Sequence, residues 1–267
     1  MGRPAHFGSR LALAVSLILV VAAVVAVAVA LGVGGGDGGH SRPPQQGVVQ
    51  TFDGDQPDAL NSAALTSSGA DVNEVSLQRG VLSFHARPTN TGSNLRIVVW
   101  PASVKPVADE ISCARWTKRN GSIVQLGGAL RIRPDHDRLR AITVTQNVYG
   151  YPSVFNVHVW DTAKANPLRT VGRLDFGAEL ERHGVVPSYF CLRAVGDRVD
   201  VKMWATGEPE PSWTDSRRVR TTMLPPGWEA PGFTGWYAGH LRAGDEAGMR
   251  DLVTWRYPSP AEAPGQK

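Results

Sequence analysis

The chain has 267 residues, of which 42% are hydrophobic and 19% are charged. This composition is ordinary for a globular protein, and it contains no heptads or long polar repeats, which excludes a coiled coil or a low-complexity chain. The 28 basic and 24 acidic residues are spread along the chain, with one basic cluster at SRRVR (216–220), so nucleic acid is excluded as an expected partner. The preference for Arg over Lys indicates a GC-rich bacterium, such as an actinobacterium.

The first predicted element is a membrane helix at residues 11–33, LALAVSLILVVAAVVAVAVALGV, a run without charge. As a helix it would be about 34 Å long, enough to cross about 30 Å of hydrocarbon. It exceeds the apolar core of a cleavable signal peptide, about 7–15 residues, although Ala28-Val29-Ala30 leaves cleavage as an alternative. Arg3 and Arg10 precede the run, so residues 1–10 are expected in the cytoplasm and the remainder outside.

After the signal-anchor helix the chain divides into three further parts. Residues 34–47, GGGDGGHSRPPQQG, have the composition of a flexible linker stiffened by a Pro pair. Residues 48–257 suit one large β-domain better than two small ones. Residues 258–267 are expected to form a flexible tail.

An Asp-rich turn, FDGDQPD, opens the β-domain. Asp53, Asp55 and Asp58 offer oxygen ligands around a flexible Gly, which is a pattern suited to Ca²⁺. The complete EF-hand pattern is missing, so a plain turn is the alternative. The seven His are scattered singly, and no dinucleotide, zincin or nucleophile-elbow motif occurs, so no other cofactor is predicted.

Short strand-like runs separated by turn residues continue to the end of the domain. Such spacing predicts an all-β sandwich or barrel, with one helical turn at GAELERHG (177–184). The main runs are VLSFHARP, LRIVVWP, ISCARWTK, GGALRIRP, LRAITVTQNVYG, VFNVHVWD, YFCLRAV, RVDVKMW, TGWYAGHL and DLVTWRY.

The two cysteines, Cys113 and Cys191, would both lie in the oxidising exterior. In ISCARWTK, alternation sends Ala114 and Trp116 toward the core and Cys113 away from it, and Cys191 also points away from the core. A disulfide between neighbouring strands is therefore predicted. Two free thiols or a catalytic Cys are the alternatives.

The stretch 189–204 predicts a β-hairpin. Gly196-Asp197 suits a two-residue type II′ turn, because Gly accepts a positive φ. Slipping the register by one residue would separate the apolar partners. The register predicts the facing pairs Ala194 with Val199, Leu192 with Val201, Phe190 with Met203, and Arg193 with Asp200.

The same stretch carries a family resemblance. LRAVGDRVDVKMWATGEPEPSW resembles the penultimate hairpin of concanavalin A-like lectin/glucanase domains in their laminin-G-like form, and MRDLVTWRY resembles their closing strand. VVQTFDGD is similar to the opening strand that lies beside the closing one. The resemblance implies two antiparallel sheets in a jelly roll, one convex and one concave. The superfamily includes lectins, glycosidases and adhesive modules, so it leaves the function open.

Glucanases with this fold place two carboxylates on one strand in an E-x-D-x-x-E pattern, which is absent here. Glu179 and Glu181 lie in the predicted helix, and Glu208 and Glu210 lie in a Pro-rich corner. A glucanase of that type is therefore excluded, whereas an unrelated carboxylate arrangement is not.

Alternation also directs a set of aromatic and polar side chains away from the core. If the strand at 154–160 and the 189–204 hairpin share a sheet, these side chains form one surface suited to sugar rings and their hydroxyls. The alternative is that the aromatics fill the core and the bases of loops. The candidate ligand-binding residues are Asn156, His158, Trp160, Tyr189 and Trp204, with Tyr149 and Tyr151 as a rim.

These observations predict a single-pass membrane protein whose laminin-G-like β-sandwich lies outside the cell membrane. The domain is expected to be a non-catalytic binding module for a cell-envelope carbohydrate or a protein partner. Two alternatives stay open, an envelope glycoside hydrolase with a non-standard carboxylate arrangement and a purely structural or adhesive domain.

Overall fold

The computed structural model of the chain describes residues 50–51, 59–66 and 69–256. Within these ranges, no helix is long and apolar enough to cross a membrane. Several predicted features lie outside the described residues, namely the signal-anchor helix (11–33), the linker (34–47), the turn with Asp53, Asp55 and Asp58, and the tail (258–267).

Fifteen strands and one helix make up the described part of the chain. The helix α1 (Gly177–His183) confirms the helical turn predicted at 177–184. The strands are β1 (Gln50–Thr51), β2 (Leu60–Thr66), β3 (Asn73–Gln78), β4 (Val81–Ala86), β5 (Arg96–Pro101), β6 (Glu110–Asn120), β7 (Gln125–Asp135), β8 (Arg138–Gln146), β9 (Val154–Asp161), β10 (Leu168–Asp175), β11 (Ser188–Val195), β12 (Arg198–Ala205), β13 (Val219–Met223), β14 (Phe233–Gly239) and β15 (Glu246–Arg256).

The strands form two antiparallel sheets. In sheet A the order is β13-β12-β11-β6-β15-β4-β3, and β1 also pairs with β15, as expected for an opening strand beside the closing one. In sheet B the order is β10-β9-β8-β7-β14-β5-β2. The prediction of an all-β, two-sheet antiparallel sandwich is confirmed, and the architecture is consistent with a jelly roll.

The β11–β12 hairpin has the register predicted from its alternation. The four facing pairs of residues occur as expected, including Arg193 opposite Asp200. Gly196 has a φ of 57°, in the left-handed region that favours Gly. The turn and the alternation of apolar residues were therefore sufficient to determine this local structure.

The main core lies between the sheets. Trp116 of β6, Phe155 of β9 and Phe190 of β11 meet there with ring centroids 4.6 to 5.9 Å apart, and all three are almost completely buried. Burying a large apolar side chain stabilises the fold by roughly 1.5–3 kcal/mol. These contacts join sheet A to sheet B and give each sheet one inner and one outer face.

One carboxyl group, that of Glu110, is also buried between the sheets. Its Oε1 accepts a hydrogen bond from the backbone N–H of Arg131 at 2.5 Å, and its Oε2 accepts one from the hydroxyl of Thr234. Burial raises the pKa of Glu110 to about 8, although the two hydrogen bonds and the charge of Arg131 act in the opposite direction. The group is fully enclosed, so it belongs to the core and not to a surface site.

Candidate functional site

The five candidate ligand-binding residues lie on two different sheets. Asn156, His158 and Trp160 belong to β9 in sheet B, whereas Tyr189 and Trp204 belong to β11 and β12 in sheet A. After β9 the chain adds β10 to sheet B and then passes through α1 into sheet A. Since both sets point away from the core, they lie on opposite outer faces. The prediction of one shared surface is wrong.

On the outer face of sheet A, Tyr189 and Trp204 stack with ring centroids 5.1 Å apart and an interplanar angle of 11°. Trp204 is only 6% exposed, because it packs with Ile111 and a disulfide between Cys113 and Cys191. The predicted disulfide is confirmed. Trp204 is a covered side chain, in contrast to the exposed platform that alternation predicted.

Ion pairs neutralise the charged side chains around this disulfide cluster. The side chain of Lys202 is only 2% exposed, and its Nζ lies 4.2 Å from the centroid of a Trp213 ring. Burial lowers the pKa of Lys202, and Glu210 partly offsets this effect. The ion pairs, with N–O distances, are Arg115 with Asp251 (2.6 Å), Arg193 with Asp200 (2.5 Å) and Lys202 with Glu210 (2.7 Å).

The outer face of sheet B carries a second hydrophobic cluster. Trp160 packs in it together with the small residues Ala129 and Ala141 and with larger side chains such as Trp100 and Tyr237. The Nε1 of Trp160 donates a hydrogen bond to Oγ1 of Thr143 at 2.9 Å. Trp160 is 1% exposed, so it points outward as predicted but is covered by its neighbours.

Arg96 of β5 contacts the Trp160 ring of this cluster. Its guanidinium carbon lies 5.7 Å from the centroid of the Trp160 ring, and its nitrogens contact Oδ1 of Asn94 at 2.6 Å and Nε2 of His240 at 2.9 Å. Within the described ranges, no carboxylate forms an ion pair with Arg96. We call Arg96, His158, Trp160 and His240 the Arg96 cluster.

The two histidines of the Arg96 cluster are neutral at pH 7. Burial, and secondarily the charge of Arg96, lowers the pKa of both His158 and His240 to about 4. Because Arg96 donates to Nε2 of His240, the proton of that ring lies on Nδ1, which is 2.9 Å from the carbonyl oxygen of Ser93. The Nδ1 of His158 lies 3.1 Å from Oγ1 of Thr170.

Three buried polar atoms on this face have no hydrogen-bond partner among the described residues, namely Nε1 of Trp100, Oδ1 of Asn156 and Oγ1 of Thr145. Asn156 and Thr145 face each other across β9 and β8. An unpaired buried polar atom costs roughly 1–3 kcal/mol. Thr145 is fully enclosed, whereas Asn156 is half-buried, so its amide can gain hydrogen bonds when a polar ligand binds.

The loop between β8 and β9 brings part of the predicted rim to the Arg96 cluster. Tyr149 lies edge-on to His240, with ring centroids 5.3 Å apart and its hydroxyl 3.4 Å from Nδ1. Tyr149 is 55% exposed and Tyr151 is 69% exposed. Tyr149 therefore offers an accessible aromatic surface at this site, and Tyr151 offers a second one two residues further along the same loop.

A groove of about 550 Å³ lies beside Arg96, between β2 and the β7–β8 hairpin. Thr66 and Asn94 line it, and both are hydrogen-bonded to Arg96. Leu65 and Leu139 supply apolar surface. A groove with apolar walls and a few polar groups is suited to a small ligand or to part of a larger one.

Sequence reasoning missed Arg96 and His240. Arg96 opens the apolar strand LRIVVWP, and His240 directly follows the strand FTGWYAG. The available signal was a single polar residue at the end of an apolar strand. Pairing of β5 with β14 then brings the two ends together.

The predicted calcium site cannot be placed, because Asp53, Asp55 and Asp58 lie outside the described residues. Among the residues that the structure does describe, no group of three His, Cys, Asp or Glu side chains could hold a metal ion. Calcium binding at the Asp-rich turn stays a prediction.

No family model matches the chain, and no curated protein matches it. Among solved structures it is similar to a β-1,3-1,4-glucanase from a mouse hindgut metagenome, with a TM-score of 0.48 and 10% identity over 79% of this chain and 99% of the other. A Bacillus subtilis protein of unknown function with a galectin-like fold has a TM-score of 0.47 and 10% identity, over 74% and 89%.

A carbohydrate-binding module from Bacillus subtilis is similar at a TM-score of 0.38 and 8% identity, over 73% of this chain and 91% of the other. All three TM-scores are below 0.5. Similarity at this level identifies neither a ligand nor an activity.

Proposed function

We propose that this chain is a non-catalytic carbohydrate-binding module whose binding surface is the outer face of sheet B. The observation that carries the proposal is the Arg96 cluster. A cation with only uncharged partners lies on the same outer face as the half-buried Asn156, and the exposed ring of Tyr149 lies against its His240 partner. This combination of aromatic, amide and charged groups is typical of sites that recognise polyhydroxylated ligands.

Each group has a distinct role in the proposed site. Tyr149 and Tyr151 stack on the apolar faces of sugar rings, since their rings are the accessible ones. Asn156 and Arg96 exchange hydrogen bonds with sugar hydroxyls. Trp160 is covered, so it supports the Arg96 guanidinium from below and does not itself stack on the ligand.

The composition of the Arg96 cluster favours binding over hydrolysis. A glycosidase places two carboxyl groups about 5–10 Å apart across the scissile bond. The side chains that meet at Arg96 are imidazole, indole and amide groups, which bind and orient a sugar but do not supply an acid and a nucleophile.

The proposal includes a location. Residues 11–33 anchor the chain in the cell membrane, and the laminin-G-like domain lies on the extracytoplasmic side, where envelope glycans are accessible. The disulfide between Cys113 and Cys191 supports this location, because structural disulfides persist in oxidising compartments.

The test is a glycan array probed with the full-length chain and two variants. Wild type is expected to bind a defined subset of glycans, and Arg96→Gln should weaken binding at least about tenfold, as the loss of charge-assisted hydrogen bonds implies. Arg115→Gln is the matched control, because Arg115 is ion-paired to Asp251 on the opposite outer face. Its affinity should stay within about twofold of wild type.

Two outcomes would overturn the proposal. If wild type binds no glycan, the proposed function is wrong. If Arg96→Gln and Arg115→Gln lose the same amount of glycan affinity, the binding surface is not the outer face of sheet B. Circular dichroism and thermal melts of each variant establish that it is folded. Tyr149→Ala is a third variant, expected to weaken binding without a change in the melting temperature.

A further inference from the structure

A second cluster of arginines lies at one end of the sandwich, around Trp228. Arg133 of β7 and Arg140 of β8 occupy directly opposite positions in the β7–β8 hairpin. The guanidinium carbon of Arg140 is 4.1 Å from the centroid of the Trp228 ring, and that of Arg133 is 5.9 Å from it. Like charges in directly opposite positions of a sheet repel each other, so this arrangement needs a compensating partner.

The neighbouring arginines are already satisfied. Arg131 is completely buried and donates to the backbone carbonyl oxygens of Ala108, Trp228 and Gly196 at 2.5 to 2.9 Å. It therefore closes this end of the sandwich by joining three loops. No donor of Arg131 is directed toward an external ligand.

The nearby carboxylate is also engaged. Asp161 lies opposite Arg140 on β9, but its two oxygens accept hydrogen bonds from Nε and Nη2 of Arg138 at 2.9 and 2.7 Å. The other acidic groups around this end partly offset the effect of burial on the pKa of Arg131, and they are Asp109, Asp197 and Glu229. Arg133 and Arg140 thus lack a carboxylate that pairs with them among the described residues.

Their own donors confirm the lack of a partner. Nε and Nη2 of Arg133 and Nε of Arg140 are buried atoms without a hydrogen-bond partner in the described part of the chain. The remaining contact is from Nη2 of Arg140 to the carbonyl oxygen of Gly227 at 3.1 Å. Burial, followed by the charges of Arg140, Arg131 and Arg138, lowers the pKa of Arg133, and the charge of Asp161 offsets this only in part.

We propose that Arg133 and Arg140 form an oxyanion-binding site beside the ring of Trp228. The ligand is a phosphate, sulfate or carboxylate group, because a planar guanidinium presents paired N–H donors that match two oxygens of such a group. Both residues are half-buried, so an anion bound at their exposed side would offset the repulsion between the two arginines and draw the unpaired donors of each guanidinium toward itself. The site shares no residue with the Arg96 cluster, so it does not depend on the proposed carbohydrate surface.

The site can be tested by arginine modification on the full-length chain. p-Hydroxyphenylglyoxal modifies guanidinium groups, and peptide mass spectrometry reports the rate at each Arg. Inorganic phosphate, sodium sulfate and sodium acetate serve as probes against sodium chloride at matched ionic strength. Phosphate or sulfate is expected to slow modification of Arg133 and Arg140 severalfold, while Arg217, whose side chain is 91% exposed, stays unprotected. Protection by acetate alone would assign the site to carboxylate groups.

Three variants separate a binding site from a structural one. Arg133→Gln should abolish protection of Arg140 and leave the melting temperature equal to or above that of wild type, since it removes a like charge and unpaired donors. Arg133→Lys keeps the positive charge but loses the paired N–H donors of the guanidinium, so protection of Arg140 should lie between that of wild type and that of Arg133→Gln. Arg87→Gln, which removes an exposed guanidinium paired to Glu74 beside sheet A, is the matched control and should retain protection.

Protection of neither arginine by any of the three anions would overturn the proposal. So would equal loss of protection in Arg133→Gln and Arg87→Gln, which would show a general charge effect. A lower melting temperature for Arg133→Gln, with anion protection of Arg140 unchanged, would show that Arg133 only covers the core.

Discussion

The outer faces of the two sheets differ in whether their charged and polar groups have partners. On sheet A, Arg115, Arg193 and Lys202 each have a carboxylate partner within 2.7 Å, around a disulfide and a covered Trp. On sheet B, Arg96 contacts only uncharged groups, and Asn156 has a buried oxygen without a partner in the described part of the chain. Both faces are rich in aromatics, so aromatic content alone does not distinguish them.

The difference shows which face is structural and which is available for binding. A face whose charges neutralise one another gains little from a ligand, because the ligand would have to break existing pairs. A face with an uncompensated cation and unpaired polar atoms gains hydrogen bonds when a polar ligand binds. The predictions below test this assignment.

The largest expected effect is removal of the disulfide on sheet A. Replacing Cys113 and Cys191 with Ala should lower the free energy of unfolding by about 4–5 kcal/mol, because the bridge joins residues 78 positions apart in the chain. Urea unfolding of the two proteins measures the difference. A loss below about 1 kcal/mol would contradict a structural role for this face.

The next effect concerns the covered Trp on the same face. Trp204→Ala should cost about 3–5 kcal/mol and lower the melting temperature by about 6–20 °C, because it opens a cavity over the disulfide. Tyr149→Ala on the exposed rim of sheet B is the matched control and should stay within about 0.5 kcal/mol of wild type. If Trp204→Ala and Tyr149→Ala have the same melting temperature, the structural role assigned to the outer face of sheet A is wrong.

A third prediction uses pH to separate the core from the face of sheet B. The pKa of Glu110 is raised from 4.5 to about 8, so between these values the folded state binds more protons than the unfolded state. Stability should therefore fall as pH rises through this window. Between pH 6.5 and pH 8 this decrease exceeds the opposite contribution of His158 and His240, whose pKa values are lowered to about 4 in the folded state, so that only the unfolded state still loses their protons in this range.

Chemical unfolding at pH 6.5 and pH 8 measures the effect. Glu110→Gln mimics the protonated carboxyl and should remove most of the decrease. Below pH 6.5 the two histidines act in the opposite direction, since the unfolded state binds their protons first and stability falls as pH drops toward 4. A wild-type stability that is equal at pH 6.5 and pH 8 would contradict the burial argument for Glu110.

The smallest effect compares two Thr residues on β8. Both are fully buried on the outer face of sheet B, but Oγ1 of Thr143 accepts the indole N–H of Trp160, whereas Oγ1 of Thr145 has no partner among the described residues. Thr143→Val should cost about 1–3 kcal/mol, and Thr145→Val should be nearly neutral. Urea unfolding resolves the difference. Equal losses would show that Thr145 has a structural partner.

Local rules in the sequence predicted much of the fold. Alternation and the Gly196-Asp197 turn specified the hairpin register, and outward parity at Cys113 and Cys191 specified the disulfide. Membership of a sheet is not a local property. β9 and β11 are separated by the β10 and α1 crossover, and nothing in their own residues shows that they pair with different strands.

The candidate site was predicted only in part, because its residues come from strands that are far apart in the sequence. Tyr149 was expected at the rim and lies against the Arg96 cluster, but Arg96 and His240 are 144 positions apart and meet only because β5 pairs with β14. Trp160 has the predicted outward direction. Its burial depends on the short side chains of Ala129 and Ala141 on neighbouring strands, which alternation within β9 does not reveal.

The central claim is that sheet B, and not sheet A, carries the ligand. Hydroxyl-radical footprinting of the full-length chain, with and without the glycan that binds best on the array, tests it directly, because mass spectrometry resolves protection at each aromatic residue. The account predicts protection of Tyr149 and Tyr151, with Tyr189 and Trp213 unchanged. Protection of Tyr189 and Trp213, with Tyr149 and Tyr151 unchanged, would contradict it.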